Sequence, residues 1–304
     1  MTAVLILLIA ASRAFALNPG ELGGQSLKLA TDARPVGLGE AFCAVADDAS
    51  AIYWNPAGLV QLKDKEMSLS YMNRLIDILS FNFSYAQEIN DRSAIGLGLL
   101  GLYASDTRRD ETTGNDLGKF MDSNTYLAIE YARKCNNGHG IACPYAWGLG
   151  LKFLYNQLDA YKSSNITLDV SSLYKFSQNI KLGLNLQNIP LGTSFSGDLE
   201  TVPLNLKTGI AYAPSEKNFT LAADLNVPND GEPSLHLGAE RWFGGIFAAR
   251  TGYQYKTQEV HLGNLYGFAV GWGLRFRKYM LDYAFTPYGD LGNDAHRVTL
   301  GAVF

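Results

Sequence analysis

Apolar residues alternate with small or polar residues in one segment of this chain after another. The last such segment places apolar side chains at every second position: Val298, Leu300, Ala302 and Phe304. A period of two is typical of a β-strand with one apolar face. We count about fourteen segments of this kind, the first of them near residue 67. A sheet with that many strands must either split or close on itself.

The strand predictions come from this alternation alone. They lie near residues 67–73, 79–87, 94–103, 123–132, 145–155, 164–174, 180–188, 204–213, 218–226, 234–243, 246–255, 266–275, 278–285 and 297–304. The number is even, as in bacterial outer-membrane barrels, and most segments approach the length that crosses a bilayer when tilted.

The weakly polar face of each segment indicates which side points inward. In 180–187, four large aliphatic residues alternate with Lys181, Gly183, Asn185 and Gln187, and Gly, Ala, Ser and Asn fill the same face of other segments. A soluble sandwich would bury bulky residues, whereas the interior of a barrel accommodates small ones. A closed sheet with an apolar outer face satisfies every backbone group within the protein, as a bilayer requires. We therefore predict an all-β fold, an antiparallel transmembrane β-barrel of about fourteen strands.

Connection lengths and aromatic positions agree with a barrel. Long polar connections are predicted at 104–122, 189–203, 256–265 and 286–295, and short ones at 175–179, 214–217, 244–245 and 276–277. Two connections break this pattern, the short 74–78 and the long 133–144. Aromatic residues near strand ends are expected to form interfacial girdles. They are Tyr71, Tyr103, Tyr155, Tyr212, Trp242, Tyr255, Phe276 and Tyr288.

Composition and the first residues indicate export of a single continuous architecture. The 304 residues contain no linker, and charged residues make up only 18% with a net charge of −4, so no nucleic-acid partner is expected. Residues 3–11 form a short apolar run that precedes Ala14-Phe15-Ala16, a small-x-small cleavage site. We predict a signal peptide at 1–16, although no Lys or Arg precedes the run. The expected location is the outer membrane of a Gram-negative-type bacterium.

Two of the three cysteines flank a short loop. Cys135 and Cys143 enclose the sequence NNGHGIA, and in an oxidising compartment that spacing favours a disulfide. A metal site with His139 is the alternative, but a fourth ligand is not visible. Cys43 is expected to be a small buried residue.

The segment before the first strand has a different character. Residues 17–62 are too apolar to extend into the periplasm alone, and we predict that they plug a barrel formed by 63–304. An Ala-rich stretch at 41–51 is expected to form a short helix, and Asn55, Pro56, Ala57 and Gly58 are expected to form a turn. Inward glycines such as Gly96, Gly98, Gly148 and Gly150 are expected to leave room for a ligand.

This segment closely resembles the amino-terminal signature of the PorV/PorQ family, within the wider FadL-like group of outer-membrane barrels. The resemblance rests on 33–42, 44–51 and 53–59, and 281–297 is similar to the end of the same family. It implies that Asn55, Pro56 and Ala57 match the Asn-Pro-Ala of the FadL-type hatch, the plug on the periplasmic side. Glu40 departs from the family pattern, where Gly is common, and we expect no role for it.

The sequence gives little sign of catalysis or of a cofactor. None of the four histidines has a recognisable metal-ligand spacing, and no local motif indicates a serine hydrolase. The acidic pair Asp47 and Asp48 lacks the further spaced oxygens of a calcium loop, so capping and turn formation explain it more simply. We expect neither an enzyme nor a cofactor.

Two functions follow from the resemblance. PorV-like relatives take part in type IX secretion, which implies a barrel that anchors or docks exported proteins at the outer membrane. The alternative is a FadL-like channel for hydrophobic small molecules such as long-chain fatty acids, with the hatch closing the lumen. A soluble β protein is a distant third reading. The expected partners are therefore the outer-membrane bilayer and either exported proteins and secretion components or a hydrophobic ligand.

Overall fold

Fourteen antiparallel strands form a closed barrel in the described part of the chain. The computed structural model describes residues 24–74, 78–110, 112–135, 143–159, 161–195, 202–214, 218–256, 265–287 and 294–304. The predicted signal peptide at 1–16, His139 and Tyr288 lie outside the described residues. Within those residues, no helix has the length and apolar character needed to cross a bilayer.

The strands follow one another around the barrel in chain order. They are β1 (Glu66–Arg74), β2 (Ile78–Asn90), β3 (Ser93–Arg109), β4 (Asp116–Lys134), β5 (Tyr145–Leu158), β6 (Tyr161–Lys175), β7 (Ile180–Phe195), β8 (Asn205–Tyr212), β9 (Phe219–Pro228), β10 (Ser234–Phe243), β11 (Phe247–Lys256), β12 (Phe268–Phe276), β13 (Tyr279–Thr286) and β14 (Ala295–Val303).

Pairing of the last strand with the first closes the barrel. β14 runs antiparallel to β1, with Glu66 opposite Val303 and Asn73 opposite His296. We call the end that carries the connections after even-numbered strands the even end, and the opposite end the odd end. β1 begins and β14 finishes at the even end, so this ladder leaves no unpaired sheet edge between them.

The large apolar side chains point away from the barrel axis, as the alternation predicts. On β5, Leu149, Leu151 and Phe153 are exposed, whereas Gly150 and Lys152 between them are buried. Most large apolar residues of the other strands are exposed in the same way and form the outer face of the barrel. The exceptions, which are buried inside, include Met72, Leu100, Tyr126, Leu154 and Leu173. This confirms the predicted direction of the two faces.

The predictions for one connection and for one aromatic residue are wrong. The polar stretch 104–122 is mostly strand rather than loop, because β3 and β4 continue to pair as far as Arg109 and Asp116. Two strands with polar side chains can still pair, because the hydrogen bonds between them join backbone groups. Trp242 does not belong to the outer aromatic girdle, because even positions of β10 face inward and its ring lies 4.5 Å from the guanidinium carbon of Arg275.

The amino-terminal segment, which we define as residues 24–62, consists of short helical turns. It has 3₁₀ helices at Gln25–Lys28 and Pro56–Gln61, and α-helices α1 (Ala33–Gly37) and α2 (Ala51–Trp54). The helix predicted over 41–51 is absent, because that stretch is irregular up to Ala51. Ala46 has a positive φ of 26°, which an α-helix does not allow. Phe42 and Cys43 both donate their N–H to a carboxylate oxygen of the wall residue Asp224, at 2.7 Å.

Inward glycines of the wall accommodate this segment rather than a ligand. A Cβ atom on Gly96 would lie 2.6 Å from Ile52, and one on Gly98 would lie 2.7 Å from Tyr53. On Gly148 it would lie 2.5 Å from the amide of Ala57. The fourth predicted glycine, Gly150, instead lies beneath the carboxylate of Glu130. The expectation that these glycines leave room for a ligand is therefore wrong.

Cys135 and Cys143 form a disulfide in the structure, with Cα atoms 5.7 Å apart. Their bond closes the connection between β4 and β5, most of which lies outside the described residues. Cys43 is fully buried and lies in the amino-terminal segment, away from this pair.

We predict that Gly252→Ala destabilises the barrel by about 1–3 kcal/mol, the usual cost of overpacking. A Cβ at this position would lie 2.0 Å from the amide nitrogen of Gly39 and 2.3 Å from the carbonyl carbon of Leu38, which are backbone atoms that cannot move aside alone. The temperature at which the heat-modifiable gel shift is lost measures the effect.

The matched control for this substitution is Gly301→Ala. The nearest atom to a Cβ there is the Cβ of Met280, at 3.5 Å, which is an ordinary contact. We expect this variant to melt at or slightly above the wild-type temperature. Equal melting of the two variants would show that the close backbone contact at Gly252 has no energetic weight.

Candidate functional site in the barrel lumen

The amino-terminal segment spans the interior of the barrel from one side to the other. α1 packs against β11–β14, whereas the 3₁₀ helix Pro56–Gln61 packs against β2–β6. These two groups of strands lie on opposite sides of the closed ring. Phe42, Ile52 and Leu59 of the segment are completely buried. The interior of this barrel is thus a packed core in which the segment supplies most of the large side chains.

Asn55 organises the turn that leads into the last helix of the segment. It is fully buried, and its Nδ2 donates to the carbonyl oxygen of Cys43 at 2.7 Å and to that of Ser172 on β6 at 3.1 Å. Its Oδ1 accepts the N–H of Ala57 at 3.2 Å, which caps the helix that Pro56 begins. The side chain therefore ties two parts of the segment to the wall.

Gly58 completes the same turn because no larger residue fits there. A Cβ atom on Gly58 would lie 2.1 Å from the carbonyl oxygen of Ala46. The amide of Ala57 also donates to Ser171 Oγ at 2.9 Å, so the turn has a second bond to β6. The structure places all four residues of the sequence motif at one contact between the segment and the wall.

Asp47 and Asp48 lie in the part of the segment that faces the even end, and both form ion pairs with an arginine of the same segment. Each places a carboxylate oxygen 2.7 Å from Nη1 of Arg34. Asp48 also accepts the N–H of Ser50 at 2.9 Å, which forms the local turn. The acidic pair thus combines turn formation with an ion pair that the spacing of the sequence does not show.

Arg34 joins the segment to the barrel wall through a network of buried charges. Its Nε and Nη2 donate to the two carboxylate oxygens of Glu240 on β10, at 2.9 and 3.0 Å. Glu240 also binds Nε of Arg250 at 2.6 Å, and Arg250 binds Asp282 at 2.5 Å. Burial by itself would lower the pKa of Arg34, but the nearby carboxylates raise it well above its ordinary value. The guanidinium therefore stays charged, and moving the segment would separate a bidentate pair.

Other polar side chains of the wall bond directly to the backbone of the segment. Asn185 Nδ2 donates to the carbonyl oxygen of Trp54 at 2.9 Å, and Gln187 Nε2 donates to that of Tyr53 at 2.8 Å. Neither residue nor the Arg34 network was identified as functional from the sequence. The available signal was the occurrence of longer polar residues at inward positions that are otherwise occupied by small ones.

A large cavity lies between the segment and the odd end of the barrel. Its volume is about 1030 Å³. Its lining mixes apolar residues, such as Leu27, Met72 and Leu102, with polar and charged ones. The polar and charged residues include Lys28, Glu40, Asn124, Asn156, Asn205, Lys207, Asn226, Ser234, His236, Gln254 and Lys256. Lys207 Nζ stands 4.3 Å from the centre of the Trp54 ring at its base. Within the described residues, the side-chain oxygens of Asn156, Asn205 and Asn226 are buried without a hydrogen-bond partner.

A second cavity of about 630 Å³ lies on the other side of the segment, toward the even end. Arg34, Asp47 and Asp48 line it, together with residues 61–64. The first cavity is lined instead by Gly24–Thr31, Glu40, Tyr53 and Trp54. Different parts of the segment face the two cavities, so the segment separates them.

The other polar residues considered as functional candidates bond to or lie near groups of the protein itself. Both ring nitrogens of His236 are bonded, one to the carbonyl oxygen of Gly39 and one to Ser234 Oγ, each at 2.8 Å. Glu40 borders the odd-end cavity, with a carboxylate oxygen 4.0 Å from the same ring. Among the described residues, no group of His, Cys, Asp and Glu has the arrangement of a metal site.

Comparison with known families identifies the group to which this barrel belongs. The family model described as type IX secretion system protein PorV matches residues 23–218, more than half of the chain. The chain belongs to the PorV family. The match covers the amino-terminal segment and β1–β8. No curated protein is significantly similar to the chain in sequence.

Solved structures share the fold of this PorV family member at low sequence identity. The toluene transporter TbuX of Ralstonia pickettii has a TM-score of 0.65 and 11% identity, covering 90% of this chain and 98% of that one. A FadL homologue of Pseudomonas aeruginosa has a TM-score of 0.60, 12% identity and the same coverage. The toluene transporter TodX of Pseudomonas putida has a TM-score of 0.59 and 13% identity, covering 88% of this chain and 96% of that one. The fold is therefore FadL-like.

We predict that Asn55→Ala loosens the amino-terminal segment without preventing barrel assembly. The change leaves the carbonyl oxygens of Cys43 and Ser172 without their partner, at a cost of about 2 kcal/mol or more. Faster proteolysis within residues 24–62 and increased uptake of an apolar dye are expected, with the heat-modifiable gel shift retained.

Asn124→Ala is the control for this substitution, because Asn124 lines the odd-end cavity and bonds to Asp122 rather than to the segment. It should leave both proteolysis and dye uptake at the wild-type level. Dye uptake unchanged by Asn55→Ala would contradict the prediction.

Asp32 makes the stability of the segment dependent on pH. Burial, and secondarily the charge of Asp48, raise its pKa to about 7, although Ser68 Oγ and Asn82 Nδ2 both donate to its carboxylate at 2.9 Å. A carboxyl whose pKa is raised in the folded state contributes most stability below its ordinary pKa, near 3.8. That contribution is lost as the pH rises through about 7.

We predict that Asp32→Asn removes this dependence. The melting temperature of the variant, relative to the wild type, should increase between about pH 4.5 and pH 8, since only the wild type must hold a buried carboxylate at the higher pH. Melting curves at several pH values test this. A difference between the two proteins that stays constant with pH would mean that Asp32 titrates as an ordinary carboxyl.

Proposed function

We propose that this chain is a non-enzymatic barrel of the outer membrane that docks exported proteins during type IX secretion. The match to the PorV family model supports the secretion role. The outward-facing apolar side chains support a lipid environment, because a closed barrel of this kind satisfies its backbone internally. The predicted signal peptide at 1–16 would direct export. The even end would face the periplasm and the odd end the cell exterior, as in bacterial barrels.

The polar lining of the odd-end cavity is the observation that favours docking over transport. A site for hydrocarbons is lined mainly by apolar and aromatic side chains with few polar groups. Here lysines, asparagines and glutamines make up much of the lining beside the apolar residues. A recess of this mixed character suits a polypeptide segment from an exported protein better than a purely apolar small molecule. The amino-terminal segment would act as the plug, held by Asn55 and by the Arg34 network.

The second candidate is a channel for hydrophobic small molecules, such as long-chain fatty acids. The fold favours it, because two of the solved structures that share it are described as toluene transporters. In this chain either the segment would shift, which breaks the Arg34–Glu240 pair, or a gap in the wall would let the ligand leave sideways into the membrane. The polar cavity is the feature that this function explains least.

Location is tested first. The protein should fractionate with outer membranes and migrate differently on a gel before and after heating in detergent. A soluble protein without a heat-dependent shift would end both membrane proposals. Its mature amino terminus, determined by mass spectrometry, should lie near Leu17.

The two roles are separated by deleting the gene and complementing it. Docking predicts loss of exported proteins from the cell surface, with unchanged uptake of radiolabelled oleate. Complementation with the double variant Asn205→Leu and Asn226→Leu, which makes the cavity less polar, should restore the surface proteins incompletely. Loss of oleate uptake with normal surface proteins would favour the channel instead.

A further inference from the structure

Exposed cations lie on aromatic rings along one arc of the even end. The guanidinium of Arg241 lies 5.5 Å from the centre of the Phe243 ring, and that of Arg277 lies 5.4 Å from the centre of the Phe276 ring. Lys278 Nζ lies 5.1 Å from the centre of the Phe304 ring. We call these six residues the even-end arc. They come from β10, the β12–β13 turn with its flanking strand end, and the end of the chain after β14.

The arc carries an excess of positive charge. The described stretches that build it, 241–249, 274–281 and 300–304, contain no Asp or Glu, although Asp64 and Glu66 line the same even-end cavity as Arg277 and Lys278. Arg241, Arg277 and Lys278 are exposed, and within the described residues none of them forms an ion pair. Three cations so placed would attract an anionic partner rather than stabilise the fold.

The arc also borders the apolar outer face directly. Phe243, Phe276 and Phe304 are each about half exposed or more, and Leu274 and Leu300 are exposed on the same outer face. A ligand that neutralises the cations must therefore place an anionic group beside an apolar surface. Aromatic rings at this depth lie at the boundary between lipid chains and head groups, and Arg binds phosphate well.

We propose that the even-end arc binds the phosphate groups of anionic phospholipids in the inner leaflet of the outer membrane. A phospholipid has both required parts, a phosphate for Arg241, Arg277 and Lys278 and an acyl chain for the apolar face beside them. This site rests on the proposed function in two respects, the contact of the outer face with lipid and the position of the even end on the periplasmic side. It gives the barrel a preferred lipid on one arc of its periplasmic rim.

Binding of phosphatidylglycerol to the detergent-solubilised full-length protein tests the site by native mass spectrometry. The triple variant Arg241→Gln, Arg277→Gln and Lys278→Gln should bind phosphatidylglycerol at least about tenfold more weakly, since each surface cation near anionic lipid contributes to binding. Higher salt should weaken wild-type binding in the same direction.

The control variant removes the same charge from the same end but outside the arc. Arg92, Arg133 and Lys175 are exposed there, near β2–β3, on β4 and on β6, and their change to Gln should leave lipid binding at the wild-type level. Equal weakening in both variants would overturn the site, because binding would then follow total charge. Undiminished binding by the triple variant would overturn it as well.

Heat-modifiable migration identifies folded variants before lipid is added. If the triple variant does not fold, Arg277→Gln alone serves, because Arg277 lies in an exposed turn, and it should weaken binding measurably. If the wild-type protein fractionates with membranes but the triple variant binds lipid as tightly as the wild type, this site alone is refuted. A protein absent from membranes refutes the proposed function as well.

Discussion

Close approach between two backbones, that of the amino-terminal segment and that of the inner wall, determines much of this structure. Gly238 and Gly252 face each other on β10 and β11 where Leu38 and Gly39 lie against them. Another cross-strand pair of glycines, on β7 and β8, lies against the backbone near Cys43. A side chain at these positions would occupy the space of the segment. The residues at these inner positions are small because the amino-terminal segment occupies the interior.

The polar contacts follow from the same arrangement. The segment is irregular over much of its length, so many of its amides and carbonyls lack partners within it. Buried backbone groups of this kind must bond somewhere, and the wall supplies Asp224, Asn185 and Gln187 for this purpose. The ion pairs of Arg34 add a second attachment close to the even end. The segment therefore depends on strands from most of the circumference of the barrel.

The sequence was sufficient for the barrel because its alternation repeats in every strand, as in 180–187 and 298–304. The even strand number and the outward direction of the large side chains followed from that period and from the size of the inner residues. The details of the lumen did not follow, because they depend on contacts between distant positions. Nothing in the sequence near Arg34 indicates that Glu240 is its partner. The sequence also does not distinguish a glycine that leaves room for a ligand from one that leaves room for Ile52. The Ala-rich stretch 41–51 has helix propensity, but the amides of Phe42 and Cys43 bond to Asp224 and Ala46 has a positive φ of 26°, outside the helical range.

The position of the segment in the chain constrains the order in which the protein can assemble. Residues near Ala33 pack against β11–β14, which follow them by more than 200 residues in the chain, whereas Pro56–Gln61 packs against β2–β6. The early part of the chain therefore completes its packing only when the late strands arrive. Pairing of β14 with β1 closes the same wall against which α1 packs. The contacts that hold the amino-terminal segment and the pairing that closes the barrel therefore depend on one set of strands, and a defect in β14 is expected to affect both.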